Sequence, residues 1–400
     1  MRKTLPQSGS IIHLGTISAL AVAVMLVFGV AASRPAQAVT FKTLYDFTGA
    51  SDGGYPYTSL IRDSTGNLYG TTYTGGASGN GTVFKLSKTG KETVVYSFTG
   101  GADGGSPLVG VIRDAAGNLY GTTELGGSIG VGTVYKVSKG GKETVLYSFT
   151  GGTDGCYPVG GLLRDSAGNL YGTAEECGPF GVGTIFKLSK SGTFTLLYGF
   201  GGAPDGAYPA FTTLLRDKTG TIYGVTEEGG VDNSGTVYEL HKNGKVKVLY
   251  SFTGGIDGCD IFGNPIMDKA GNFYGTANAC GSGHVGIVWK VSRTGKETIL
   301  HTFQGGSSDG AEPVGGVLLD AKGNLYGTTY QGGSANLGTV YELSKKGTLT
   351  LLHTFSGPDG DYLYSGVIQD STGSLYGTSL YGGSGQGCRN GCGTVWKITK

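Results

Sequence analysis

Of 400 residues, 79 are glycine, about one in five against an average near 7 %. That content excludes a helical bundle, since an interior glycine costs a helix ~1 kcal/mol relative to alanine, and the absence of a three-residue glycine period, with only 11 prolines, excludes collagen. A composition 38 % hydrophobic and 10 % aromatic can build a core, and 30 Lys+Arg against 29 Asp+Glu provide no net basic field for nucleic acid, which leaves an all-β chain with many tight turns.

The chain opens as an export signal. Arg2 and Lys3 precede an apolar run from about Leu14 to Ala32, and Ala36-Gln37-Ala38 is a small-x-small cleavage site. Cleavage after Ala38 is expected; the other reading is an uncleaved anchor helix. No second apolar run of spanning length follows. The expected organisation is a signal peptide over 1–38 and one domain over 39–400.

The rest is one unit written seven times. Leu-Tyr-Gly-Thr or a close variant recurs with its tyrosine at Tyr69, Tyr120, Tyr171, Tyr223, Tyr274, Tyr326 and Tyr376, at steps of 50 to 52 residues. Within one unit, the apolar run Val109–Ile112 predicts a first strand and Asp114-Ala115-Ala116-Gly117-Asn118 a turn. Leu119–Thr123 predicts a second strand, Gly126–Gly132 a glycine-rich loop, Thr133–Ser138 a third strand, and Glu143–Phe149, after a Lys-Gly-Gly-Lys turn, a fourth. Four strands at this period predict a propeller blade; β-solenoid coils are shorter.

The two ends are offset. Thr43–Phe47 matches a fourth strand and Gly393–Lys397 a third. The predicted fold is therefore a seven-bladed β-propeller whose N-terminal strand completes the last blade and removes an open edge. Third-strand aromatics such as Phe84, Tyr135 and Trp289 are expected to pack one blade on the next. Small residues in the first strands (Ser59, Gly110, Gly161, Gly316, Gly366, with Thr213 and Asn264) are expected where the channel is crowded. Turn aspartates such as Asp63 and Asp114 are expected to cap turn amides.

The string Asp-x-x-Gly-Asn-Leu-Tyr, followed by Gly-Thr-Val-x-Lys and a Gly-Lys turn, stands at Asp114–Tyr120 with Gly132–Lys136, and in variant form at Asp165–Tyr171 with Gly183–Lys187. It resembles the tandem repeats of the choice-of-anchor, GloVer-type (Gloeo/Verruco repeat) family over essentially all of residues 40–400. The resemblance implies an exported bacterial repeat protein. The unit is more distantly similar to NHL-type and gluconolactonase-like propellers, the latter using a Glu/Asn/Asp metal site near the channel.

All six cysteines follow the signal, and an even count in an exported chain reads as disulfides. Cys156 and Cys259 follow Asp-Gly in the loop before strand one; Cys177 and Cys280 replace the first glycine of the Gly-Gly pair after strand two. Two units gained both and five have neither, and the two loops share one face of a blade. Cys156–Cys177 and Cys259–Cys280 are therefore expected, and Cys388–Cys392 by elimination. The braced face is the expected working face.

Familiar catalytic signatures are absent: the chain offers no HExxH, no Walker loop, no CxxC and no GxSxG nucleophile elbow on a strand-to-helix turn. Of five histidines, only His284 falls in a working-face loop. The repeated entry-loop aspartates, Asp52, Asp103, Asp154, Asp205, Asp257, Asp309 and Asp359, read as turn caps rather than calcium ligands. Specificity should lie where blades differ. After the second strand stand Tyr73, Glu124, Glu175, Glu227, Asn278, Tyr330 and Leu380, with Tyr381 beside the last and Glu176 and Glu228 adding to the acidic arc. The same face carries Tyr55, Tyr57, Tyr157, Tyr208, Tyr362 and Tyr364.

Two functions remain open at this stage. The first is an exported, non-catalytic binding module for a glycan or envelope protein, with no cofactor, through Tyr73, Glu124, Glu175, Glu227, Asn278, Tyr330 and Tyr381. The alternative is a metal-assisted lyase or hydrolase in which Glu124, Glu175, Glu227 and Asn278 share one divalent calcium or magnesium ion. A monomer, periplasmic, cell-surface or extracellular, with no nucleic-acid partner and no membrane span after cleavage, is expected for both.

Overall fold

The computed structural model describes residues 39–400; the expected signal segment and its cleavage site lie outside the described residues. Seven four-stranded antiparallel sheets follow one another along the chain. Blade 1 is Ile61–Arg62, Leu68–Thr72, Thr82–Leu86 and Glu92–Ser97, from the inner to the outer strand. Blades 2 to 6 repeat this order. Blade 7 is Ile368–Gln369, Leu375–Ser379 and Thr394–Thr399, and its outer strand is Thr40–Asp46, pairing Thr40 with Thr399 and Asp46 with Thr394. The chain ends therefore close the ring, as the offset predicts. Every outer pair carries a bulge, as between Val83 and Phe84, which adds twist at the rim.

The repeat residues earn their places in packing. Each third-strand aromatic meets the fourth-strand phenylalanine of the preceding blade, edge to face in most blades: Phe84 on Phe47 at 5.1 Å, Tyr135 on Phe98 at 4.9 Å, Phe186 on Phe149 at 5.3 Å. All of these rings are fully buried. The same aromatic lies across the glycine of the Leu-Tyr-Gly-Thr strand. A Cβ on Gly70 would come within 2.8 Å of the Phe84 ring, and one on Gly172 within 2.6 Å of the Phe186 ring. That glycine is the space into which the aromatic of the next strand fits.

The motif tyrosine has a separate task. Its hydroxyl donates to the turn aspartate six residues earlier, Tyr69 to Asp63 at 3.0 Å and Tyr376 to Asp370 at 2.9 Å. The same carboxylates accept turn amides, Asn67 N–H on Asp63 and Asn118 N–H on Asp114 at 2.9 Å. These bonds hold Asp63 and its equivalents below the ordinary carboxylate range, against the upward push of burial.

The inner strands are shorter than expected, two residues in the ladder rather than the run Val109–Ile112. The preceding residues bond to the neighbouring blade instead. Thr71 Oγ1 donates to Val109 O at 3.0 Å, and Thr378 Oγ1 does so across the ring closure to Thr58 O at 2.9 Å. Blades stand close here, since a Cβ on Gly366 would lie 2.8 Å from Gly316 O. Small residues at this level are a steric requirement.

Because strands alternate in direction, the connections fall at two ends. The outer-to-inner and second-to-third loops form one face, called here the upper face; the inner-to-second and third-to-outer turns form the lower. Upper-face loops contain sixteen Asp and Glu and one Lys or Arg, Arg389; lower-face turns contain fourteen Lys and Arg against seven Asp. The near-zero net charge conceals this separation.

Candidate functional site

Two loop families build the upper face, and three disulfides brace it as expected: Cys156–Cys177, Cys259–Cys280 and Cys388–Cys392. In blade 6 the two loops pair as a short ladder, Gly310–Ala311 with Gln331–Gly332, where other blades have a single bridge such as Gly54 to Thr74.

The entry-loop aspartates are consumed by capping. Asp103 accepts the Thr99 amide at 2.9 Å and the Tyr96 hydroxyl at 2.8 Å. In blades 5 and 6 the outer-strand tyrosine gives way to His301 and His353, which contact Asp309 at 3.3 Å and Asp359 at 2.7 Å.

The variable positions after the second strand form a ring whose backbone is pinned in every blade. Their amides donate to the carbonyl of one entry-loop residue: Tyr73 to Tyr55 at 3.0 Å, Glu124 to Ser106 at 3.2 Å, Glu175 to Tyr157 at 3.0 Å, and Glu227 to Tyr208 at 3.0 Å. Asn278 bonds to Asp260 and Tyr330 to Glu312, both at 2.9 Å, and Leu380 to Tyr362 at 3.1 Å. Leu380, rather than Tyr381, holds the seventh place and is buried. Tyr381 sits one residue on.

The accepting residues form a second ring that the sequence reading did not recognise. All seven are non-glycine with positive φ, from 50° at Tyr362 to 58° at Tyr55. A left-handed L-residue costs roughly 1–2 kcal/mol, and such strain concentrates at functional sites. The available signal was the proline that follows five of them, at Pro56, Pro107, Pro158, Pro209 and Pro313.

Around the mouth the chemistry divides in two. Blades 6, 7 and 1 contribute a continuous tyrosine cluster. Tyr330 stacks on Tyr362 at 4.4 Å and meets Tyr364 at 5.0 Å; Tyr57 meets Tyr364 at 5.0 Å and Tyr73 at 5.5 Å; Tyr381 meets Tyr55 at 5.2 Å. Burial, with neighbouring phenols, pushes the Tyr330 hydroxyl up to about 12. Blades 2 to 5 contribute carboxylates. Burial, then repulsion from Glu176 and Glu124, raises Glu175 to about 7. Burial, then Glu175, Asp260 and Glu228, raises Glu227 to about 7. Glu124 is raised by burial while the neighbouring Tyr73 hydroxyl pulls it back, and its Oε2 is buried without a partner, as is Asn278 Oδ1.

Below the ring a channel cavity of about 230 Å³ is lined by Tyr57, Tyr364, Phe211, Phe262 and the small inner-strand residues. None of Tyr73, Glu124, Glu175, Glu227, Asn278, Tyr330 and Tyr381 lines it. Phe211 and Phe262, 5.7 Å apart, were not singled out from the sequence. Among the described residues no group of three or more His, Cys, Asp and Glu side chains is set to hold a metal. The carboxylates follow one another around an arc, Glu175 feeling the charge of Glu124 and Glu227 that of Glu175.

The fold and its upper face define a disulfide-braced, seven-bladed β-propeller with four antiparallel strands per blade. The Gloeobacter/Verrucomicrobia repeat matches residues 27–175, 88–261 and 210–400, and the chain belongs to that family. No curated protein matches the sequence. Among solved structures, the chain is similar to the extracellular domain assigned to a one-component system from B. thetaiotaomicron, at 13 % identity and a TM-score of 0.57, covering 90 % of this chain and 42 % of that one. It is more distantly similar to a gluconolactonase from Xanthomonas campestris, at 14 % identity and a TM-score of 0.40, covering 71 % of this chain and 82 % of that one. A protein assigned as a 6-phosphogluconolactonase from Bacteroides uniformis has 14 % identity and a TM-score of 0.47, covering 74 % and 84 %. These likenesses are of fold. No helix among the described residues is long and apolar enough to cross a membrane.

Proposed function

We propose that this chain is an exported binding module that takes a glycan or an envelope protein segment at the upper mouth of its channel. The observation that carries the reading is the tyrosine cluster, reaching the cavity through Tyr57 and Tyr364 and facing an arc of carboxylates across the mouth. Tyrosine presents a flat apolar ring and a hydroxyl, which suits sugar rings and extended peptides alike. Carboxylate and amide oxygens without internal partners add acceptors for ligand hydroxyl or amine groups. Export, with removal of residues 1–38, is supported by the pairing of all six cysteines. The test is an array of oligosaccharides and envelope extracts, probed with wild type and with Tyr364→Ala plus Tyr330→Ala. A specific hit weakened roughly tenfold or more by the tyrosine changes is expected. Unchanged binding in that variant overturns the site.

A second reading, a hydrolase or lyase, is favoured by Glu175 and Glu227. Carboxyls poised near 7 are suited to exchange protons at neutral pH. One in its ionised form would take a proton from water attacking a bound ester or lactone, and its protonated neighbour would give one to the leaving oxygen. Acid release from a sugar lactone, abolished in Glu175→Gln and Glu227→Gln, would place this reading first. Elemental counting of bound metal per chain tests the metal-assisted form.

A further inference from the structure

The lower face holds a feature that the channel-mouth reading does not use. At the junction of blades 2 and 3, Lys136 and Arg164 stand 5.9 and 5.7 Å from the Tyr120 ring centre. Lys190 lies beside Arg164 across the turn glycine Gly168. Together they line a groove of about 360 Å³ whose apolar wall includes Leu146, Leu170 and Leu188. Arg164 Nε is buried without a partner.

The arrangement is repeated at four successive junctions, where Arg62, Arg113, Arg164 and Arg216 lie 5.6 to 5.9 Å from the motif tyrosine of the preceding blade. Among the described residues none of these four arginines forms an ion pair within 4 Å; the turn aspartates beside them are occupied by turn amides and tyrosine hydroxyls. The arc then stops. Met267, Leu319 and Gln369 hold the arginine position in blades 5 to 7. On that side of the ring two cations are paired internally, Arg293 on Asp217 at 3.3 Å and Lys400 on Glu342 at 2.9 Å.

We propose that this lower face is a second binding surface, which takes an anionic polysaccharide laid along the four Lys–Tyr–Arg–Lys grooves from the blade 7/1 junction to the blade 3/4 junction. Four guanidinium groups without an ion-pair partner, one on each of four successive blades, suit a polymer that carries carboxylates or sulfates along its length, because the planar fork of arginine pairs such groups bidentately. Grooves with leucine walls, of about 260 and 360 Å³ at the last two junctions, accept sugar rings between the charges. A flat lipid surface would meet the turn ridges and leave the walls unused. The acidic upper face repels the same polymer, so it is directed to one side of the ring.

The test uses polygalacturonate, with neutral dextran and phosphatidylglycerol vesicles as comparisons. Wild type is expected to bind polygalacturonate, lose that binding between low and high salt, and ignore dextran. The triple change Arg113→Gln, Arg164→Gln, Arg216→Gln is expected to weaken it roughly tenfold or more. The triple Lys296→Gln, Lys322→Gln, Lys346→Gln removes equal charge outside the arc and is expected to weaken it less than about twofold. Should the glutamine triple melt early, Arg113→Lys, Arg164→Lys, Arg216→Lys keeps the charge and is expected to retain salt-sensitive binding with reduced affinity. Equal loss in the inside and outside triples, absence of binding to polygalacturonate, or tighter binding to the vesicles overturns the proposal.

Discussion

Glycine is the most informative residue in this chain, because its instances are not equivalent. Gly172 leaves room for the Phe186 ring between two buried strands. Gly172→Ala is expected to destabilise by about 1–3 kcal/mol through overpacking. Gly140 lies in an exposed turn, has no positive φ, and a Cβ there meets nothing closer than 3.9 Å. Gly140→Ala should be neutral or slightly stabilising, by up to about 1 kcal/mol. Urea unfolding of the two variants checks both signs. At this scale the repeat was legible: aromatic and glycine recur in register because one fills the space the other leaves. The ring of strained entry-loop residues was not, since its side chains range from tyrosine to serine, aspartate and glutamate, and the proline after five of them marks a turn without announcing a left-handed backbone.

Between elements, two devices set the stability of the rim. The first is the disulfide pair Cys156–Cys177 and Cys259–Cys280, each closing a 21-residue separation. Removing either by paired Cys→Ala substitution is expected to cost about 3 kcal/mol in the loop-entropy account. Cys388–Cys392, with a separation of 4, should cost less, which denaturant midpoints of the three variants would show. These pairings were legible because both cysteines of a pair replace repeat residues in the same units. The second device is a half-buried outer-strand glutamate in blades 1, 2 and 5, where blades 3, 4, 6 and 7 carry Phe194, Val246, Leu349 and Phe41. Glu92, Glu143 and Glu297 each bury one oxygen without a partner. Burial, then Asp52, Asp103 and Asp257 respectively, raises each to about 7. A folded pKa raised above the ordinary 4.5 favours the protonated form, so their contribution is full below about pH 4.5 and is lost as pH rises through about 7. The triple Glu→Gln variant should match wild type in melting temperature near pH 4 and exceed it near pH 8. A constant difference across that range would refute the assignment. Burial at this depth could not be read from Glu-Thr at a strand start, which usually faces water.

For the whole molecule, the number of blades, their strand order and the closure were legible from the period and the offset of the ends, because a ring leaves no edge and an offset repeat needs one. The division of charge between the two faces was not legible from the totals, which cancel. It emerges only once strand direction assigns each turn to an end. Deleting Thr40–Asp46 is expected to expose the edge of Thr394–Thr399 and convert a monodisperse species into larger assemblies, which light scattering after gel filtration would detect. That pairing also orders events in time. Thr40–Asp46 is made before every other strand of the ring, yet its partner, Thr394–Thr399, is made after all of them. The opening strand must wait, unpaired, until Thr394–Thr399 has been made. Any product halted before residue 394 lacks the strand that receives it. The closing pair thereby acts as a check on the ring: only once the third strand of the seventh blade has been made can the opening strand be covered.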